Sequence, residues 1–155
     1  MVEVGKPAPD FKLESHTGGT VSKKDLAGKW AVLYFYPKDS TPGCTVEACD
    51  FRDNLKRVEK AGAVVYGISA DSIKSHEKFA TAQKLSFPLL SDPDKKMIEA
   101  YGAWGEKKMY GRTMMGIIRS TVLLDPKGVV REVWRKVKVA GHADAVLERL
   151  AELAG

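Results

Sequence analysis

The stretch "PKDSTPGCTVEAC", from Pro37 to Cys49, holds both cysteines of a 155-residue chain, Cys44 and Cys49. Two thiols are too few to staple a domain of this size, and a reducing cytoplasm would not maintain a structural bridge between them. Any bridge they form is therefore expected to be chemical. The histidines His16, His76 and His142 show no metal-ligand spacing with one another or with the cysteines, so no metal site is expected. What remains is nucleophilic or redox chemistry, for which the reactive species is the thiolate.

An ordinary thiol, with a pKa of about 8.5, is only a few per cent ionised at pH 7. The sequence around Cys44 supplies part of the help it needs. The apolar run "WAVLYFY" reads as a buried strand that stops at Pro37, Thr41 suits a helix N-cap, and Pro42 suits the first helical position. Cys44 then falls in the first turn, where unpaired N–H groups and the positive end of the dipole favour an anion. That field is worth only about 0.3 to 1 kcal/mol, so a cation must come from elsewhere in the chain.

The spacing of the two thiols poses a second problem. Residues five apart on an ideal helix have Cα atoms roughly 8.7 Å apart, whereas a disulfide needs less than about 7 Å. Cys44 and Cys49 cannot bridge while the helix that carries both is intact. The stretch from Thr41 to Phe51 is accordingly expected to exist in two forms, helical when reduced and remodelled when oxidised.

The elements that must position this stretch alternate between strands and helices. "FKLESHTGGTVSKKDL" reads as a hairpin turning at Gly18 and Gly19, and "WAVLYFYP" as a central strand covered on both faces. One helix is predicted from about Pro42 to Ala61, with Val46, Cys49, Leu55 and Val58 at helical offsets and a stop at Gly62. "AVVYGISA" is a second buried strand, Asp71 or Ser72 caps a helix running to about Lys84, and "FPLLSD" is a short strand before a helix from about Pro93 to Tyr101. "STVLLDPKGVVREVW" gives two strands joined at Asp125 to Gly128, and "HADAVLERLAEL" a closing amphipathic helix. The segment from Gly102 to Arg119 shows no periodicity and is expected to be a long functional loop. The order implies a mixed α/β sandwich with helices on both faces of one sheet, and a single domain over 1–155.

Composition limits the function classes. With 44% hydrophobic and 29% charged residues the chain reads as globular, and it has neither an apolar signal-peptide core nor the roughly 18-residue apolar run of a membrane span. No membrane association and a cytoplasmic location are expected. The net charge of +5 is dispersed, with Lys23, Lys95 and Lys107 opening pairs that are separated by acids. A nucleic-acid binder concentrates such charge on one face, so no nucleic-acid partner is expected.

The motif also resembles a known pattern. "PKDSTPGC" fits P-x-x-x-T-x-x-C with Pro37, Thr41 and Cys44 at its fixed positions, and this is the active-site pattern of peroxiredoxins. "CTVEAC" is similar to the bacterioferritin comigratory protein or peroxiredoxin Q branch, whose second cysteine lies five residues downstream. "GKPAPDFKL" and "GIIRSTVLLDPKG" resemble further segments of the family, so the likeness spans essentially the whole chain. The resemblance implies a thioredoxin-like fold with an N-terminal β-hairpin. It also implies a peroxidase without cofactor or metal that reduces hydrogen peroxide and organic hydroperoxides.

On that resemblance Cys44 is the peroxidatic cysteine and Cys49 the resolving one, joined in an intramolecular disulfide that thioredoxin or a similar dithiol reduces. Arg119 is the missing cation, Thr41 and backbone N–H groups bind the peroxide, Pro37 shields the pocket, and Glu47 orients Arg119. Full ionisation of Cys44 would raise the rate only about thirty-fold, so these groups must act mainly on the transition state. Resolution within one chain needs no second subunit, and a monomer is expected. A thioredoxin-like disulfide oxidoreductase or chaperone would share the fold but normally carries C-x-x-C, which is absent. Met97, Met109, Met114 and Met115 are expected to fill gaps between apolar residues, with Met114 and Met115 as candidate walls of the peroxide pocket.

Overall fold

The computed structural model describes residues 2–155, and for Met109 its place in a strand but not its side chain. A hairpin of β1 (Lys12–Ser15) and β2 (Thr20–Ser22) precedes a 3-10 turn at Lys23–Leu26 and the central strand β3 (Trp30–Phe35). Next come α1 (Pro42–Asp53), α2 (Leu55–Lys60), β4 (Ala63–Ser69), α3 (Ile73–Gln83), β5 (Leu89–Ser91) and α4 (Lys96–Ala100). β6 (Trp104–Met109), β7 (Arg112–Ile117), β8 (Ser120–Leu124), β9 (Val130–Trp134) and α5 (His142–Ala154) complete the chain.

Seven strands form one sheet in the order β2-β1-β5-β4-β3-β8-β9. β3, β4 and β5 run parallel, while β1 pairs antiparallel with β5 and β8 with β3, which makes the sheet mixed. Alternation along β3 divides the core. Val32, Tyr34 and Tyr36 face a cluster with α1, α2, α3 and α5, including Ala48, Phe51, Val58, Phe79 and Leu147. Ala31, Leu33 and Phe35 face a second cluster with Met97 and Ile98 of α4, Phe11 and Leu26. The two faces are therefore unequal: among the described residues α4 is the one α-helix packed into the second cluster, and the N-terminal segment covers much of the rest.

Three expectations need correction. The helix predicted from Pro42 to Ala61 breaks at Asn54, which leaves helical geometry (φ −115°, ψ 16°) as its side-chain amide donates to the Asp50 carbonyl at 2.7 Å. Its buried face is also rotated from the predicted one: Cys44, Glu47, Ala48 and Phe51 are buried, and Val46 is half exposed. A buried glutamate hid this face from a hydrophobicity count.

The expected loop from Gly102 to Arg119 contains a hairpin. β6 and β7 pair antiparallel from Trp104 with Ile117 to Met109 with Arg112, turning at Tyr110 and Gly111 with φ of 52° and 76°. Two consecutive left-handed residues match the strand twist, but tyrosine at the first of them gives little sign of it. Alternation is missing because the first four residues of β7 are exposed, so neither face has to be apolar. Met114 and Met115 are among them, about half exposed; they neither fill gaps nor line the cleft described below. Met97 is buried as expected, and the Met109 side chain lies outside the described residues.

Finally, α4 starts at Lys96 rather than near Pro93. Lys95 is left-handed (φ 61°), and the buried Asp92 carboxylate accepts the Ile98 N–H at 2.9 Å.

Candidate active site

β3 ends at Phe35 and the chain descends through Pro37 into α1, so Cys44 sits in the first helical turn at the C-terminal end of parallel strands. Its side chain is 1% exposed. Arg119, in the two-residue link between β7 and β8, donates from Nη2 to Cys44 Sγ at 3.2 Å and from Nη1 to Glu47 Oε1 at 2.6 Å. Glu47 follows Cys44 by three residues and lies on the same helix face, so one guanidinium spans the thiol and the carboxylate. Gly43 makes room for this fork: a Cβ there would lie 3.3 Å from Arg119 Nη2.

The electrostatics follow from burial. Desolvation pushes the Glu47 carboxyl up to about 7 against the pull of Arg119. Burial works to lower the Arg119 pKa, but Glu47 and then Cys44 outweigh it and hold the guanidinium above its usual value. The second carboxylate oxygen of Glu47 and the Tyr34 hydroxyl are buried without hydrogen-bond partners among the described residues. Polar atoms so placed carry a cost, consistent with a site in which charge is held for a purpose other than stability.

The structure brings Cys44, Arg119 and Glu47 together as expected. Pro37 and Arg119 line an open cleft of about 670 Å³ whose rim also carries Lys107, Lys108 and Lys136. Lys107 donates to the Ile117 carbonyl at 2.8 Å, and burial, followed by repulsion from Arg119, lowers its pKa. Thr41 occupies the N-cap position with extended backbone, yet its hydroxyl makes no capping bond; it donates to the Lys38 carbonyl at 2.8 Å. Cys49 is partly exposed, with its thiol directed at the Gln83 side-chain oxygen at 3.5 Å, and both cysteines are free thiols.

Sequence reasoning missed the scaffold under this loop. His76 of α3 is fully buried, with Nε2 donating to the Leu90 carbonyl at 2.9 Å and Nδ1 2.7 Å from Asp39 Oδ2. Asp39 also accepts from the Tyr36 hydroxyl at 2.5 Å and from Ser75 at 2.9 Å, while its N–H donates to Asp71 at 2.9 Å. Asp39, Asp71 and His76 converge within 4.8 Å, as a cation site would require, and each already has hydrogen-bond partners within the protein. Their spacing of 32 and 5 residues gave no ligand signal in the sequence. The network fixes the loop between Pro37 and Thr41, in which Ser40 takes a left-handed backbone (φ 64°).

Comparison with known proteins identifies the lineage. The AhpC/TSA family model matches residues 4–133. The chain belongs to the AhpC/TSA family. It is a peroxiredoxin, a thiol-dependent peroxidase. It is 53% identical over 146 residues to Peroxiredoxin Bcp of Xanthomonas campestris pv. campestris, covering 93% of this chain and 91% of that protein. To Peroxiredoxin Bcp of Bacillus subtilis it is 47% identical, over 98% and 97% of the two chains.

Among solved structures, bacterioferritin comigratory protein of Xanthomonas campestris, studied as trapped intermediate and ligand complexes for its alkyl peroxide reduction activity, superposes with a TM-score of 0.92 at 47% identity. That match covers 99% of this chain and 100% of the other. A cysteine-to-serine mutant of PrxQ from Xylella fastidiosa gives 0.94 at 38% identity, over 100% and 99% of the chains. The fold is therefore that of the thioredoxin-like peroxiredoxins. No helix of the described residues is long and apolar enough to cross a membrane.

Proposed function

We propose that Cys44 is the peroxidatic cysteine of this peroxidase and Cys49 its resolving partner. The observation that carries the reading is the single guanidinium shared by Cys44 Sγ and Glu47 at the start of α1. Arg119 Nη2 and the start of α1 face the Cys44 sulfur, which attacks one oxygen of the peroxide as the thiolate. The O–O bond breaks, the sulfur becomes a sulfenic acid, and the leaving oxygen departs as water or an alcohol after gaining a proton. Arg119 offers positive charge and directed N–H donors to the oxygen that becomes negative, and Glu47 holds it in that orientation. Pro37, at the cleft wall, limits water around the reacting atoms. Thr41 acts once its hydroxyl leaves the Lys38 carbonyl or as an acceptor while bound there, since that contact uses only its proton.

Cys49 then attacks the sulfenic sulfur, a disulfide forms, and water leaves. Because the thiols lie five positions apart on one helix, α1 must unwind at its start for this step. A disulfide formed by unwinding is an open substrate for a dithiol such as thioredoxin, in keeping with a cytoplasmic peroxidase acting as a monomer on hydrogen peroxide and organic hydroperoxides. One equivalent of hydrogen peroxide tests the scheme. Both free thiols should disappear within seconds, and peptide mapping should join Cys44 to Cys49 within one chain; a disulfide between chains, or thiols that persist, would refute it.

A further inference from the structure

Gln83, the last residue of α3, touches α1 in two ways. Its side-chain oxygen accepts from the Cys49 thiol at 3.5 Å, and its backbone carbonyl accepts from Arg52 Nη1 at 2.6 Å. The second contact follows from how α3 ends. Lys84 turns left-handed (φ 53°), and the N–H groups of Lys84 and Leu85 return to Ala80 and Thr81, so the Gln83 carbonyl is one of the terminal acceptors left without an intrahelical donor. Arg52 supplies that donor, while its Nε is held by Asp53 at 2.9 Å.

The end of α1 stays anchored for other reasons. Phe51 is fully buried, stacked on Tyr34 and edge-on to His142, and the helix breaks just beyond at Asn54. Unwinding is thus confined to the turns before Phe51, and among the described residues there Cys49 is the one whose side chain hydrogen-bonds to a different helix. Arg52, on the anchored side, keeps the end of α3 against α1 and so keeps the Gln83 amide opposite Cys49.

We propose that Gln83 is a positioning residue that holds Cys49 in the helical form and so sets how fast the disulfide closes, with Arg52 fixing Gln83 in place. The proposal rests on the assignment of Cys44 and Cys49 made above. In the chemistry concerned, the Cys44 sulfenic acid has two fates. Cys49, as thiolate, attacks its sulfur, expelling hydroxide that takes up the proton Cys49 released and leaves as water. Alternatively a second peroxide oxidises the sulfenic acid to sulfinic acid and leaves as water or alcohol. The rate of the first fate scales with the fraction of molecules in which Cys49 is free of the helix, and every contact made only by the helical form lowers that fraction. Neither Gln83 nor Arg52 contacts Cys44, Glu47 or Arg119 by hydrogen bond, so the initial attack on peroxide should not sense them.

The test is rapid quenching after mixing with excess hydrogen peroxide, followed by mass spectrometry of Cys44 as sulfenic acid, disulfide or sulfinic acid. Gln83→Met keeps the length and the backbone carbonyl but removes the acceptor. It should close the disulfide about two- to fivefold faster, the effect expected from one modest hydrogen bond. Sulfenic acid should appear at the parental rate, and less sulfinic acid should accumulate. Arg52→Met should shift closure in the same direction, and Arg52→Lys, which restores a donor, should bring it back towards the parental rate. A loss of global stability alone would not produce that rescue. Disulfide closure in Gln83→Met at or below the parental rate, with sulfenic acid still forming, overturns the latch alone. Absence of sulfenic acid at Cys44 in the parent protein and in Cys49→Ser overturns the underlying assignment with it.

Discussion

At the scale of single residues, the proposed mechanism gives Arg119 two tasks that can be separated. It contacts Cys44 Sγ and Glu47, so in the proposed mechanism it would both act on the sulfur and face the oxygen that gains charge. Arg119→Met should slow peroxide reduction by at least about a hundredfold, in the range seen when a charge-stabilising donor is removed. The loss should persist at a pH where the thiol is fully ionised; complete recovery there would limit the arginine to tuning ionisation. Glu47, pushed up to about 7 by burial, loses its charge as pH falls through neutrality and with it part of its hold on Arg119. Glu47→Gln should therefore remove a component near pH 7 from the rate profile, measured by stopped flow across that range. That Cys44, Arg119 and Glu47 come together was legible through the family resemblance that the motif and its companion segment carry. The partner of the Thr41 hydroxyl was not, since it depends on the left-handed turn at Ser40, and nothing about serine announces that conformation.

At the scale of elements, the proposed mechanism requires α1 to be stable enough to hold Cys44 and labile enough to release Cys49. Its C-terminal part is secured by Phe51, and α2 beyond the break is tied to α5 through Arg57 and Asp144 at 2.6 Å. Its first turns rely on backbone bonds worth only about 0.5 to 1.5 kcal/mol each, along with the contacts of Cys44 and Cys49, the Glu47–Arg119 pair and the buried Ala48. Amide hydrogen exchange should show protection collapsing between Thr41 and Asp50 on oxidation, while β3 stays protected. Unchanged protection in protein proven to hold the disulfide would contradict the account. Strand and helix order could be read from the sequence because β3, β4 and β8 are buried and apolar and α5 is amphipathic. The β6–β7 hairpin escaped because its strands lie outside the main sheet and carry exposed residues, which removes the alternation that burial imposes.

At the scale of the whole molecule, buried titratable groups give folding an uneven pH dependence. Burial, and then repulsion from Arg119, lowers His142 to about 4, with its Nε2 2.7 Å from the Thr121 hydroxyl. The unfolded chain takes up this proton below about 6.5 and the folded chain only below about 4, so His142 weakens folding as pH falls through that window, by a total on the order of 3 kcal/mol. Glu47 works the other way. Its folded-state proton is retained up to about 7, so the stability it contributes in acid is lost as pH rises from about 4.5. The two partly cancel. Urea unfolding at pH 5 and pH 7 should show a larger loss in acid for Glu47→Gln than for the parent, and a smaller one for His142→Gln; equal differences in all three would refute the linkage.

The roles of the two thiols can be set apart most directly in Cys44→Ser and Cys49→Ser, each mixed with a few equivalents of hydrogen peroxide without reductant. Cys44→Ser should consume none above background. Cys49→Ser should consume the first equivalent at the parental rate, hold a sulfenic acid at Cys44 trappable by a dimedone-type reagent, and turn over again only when an external thiol is added. Equal loss of the first equivalent in both variants, or a sulfenic acid trapped at Cys49 in Cys44→Ser, would contradict the assignment.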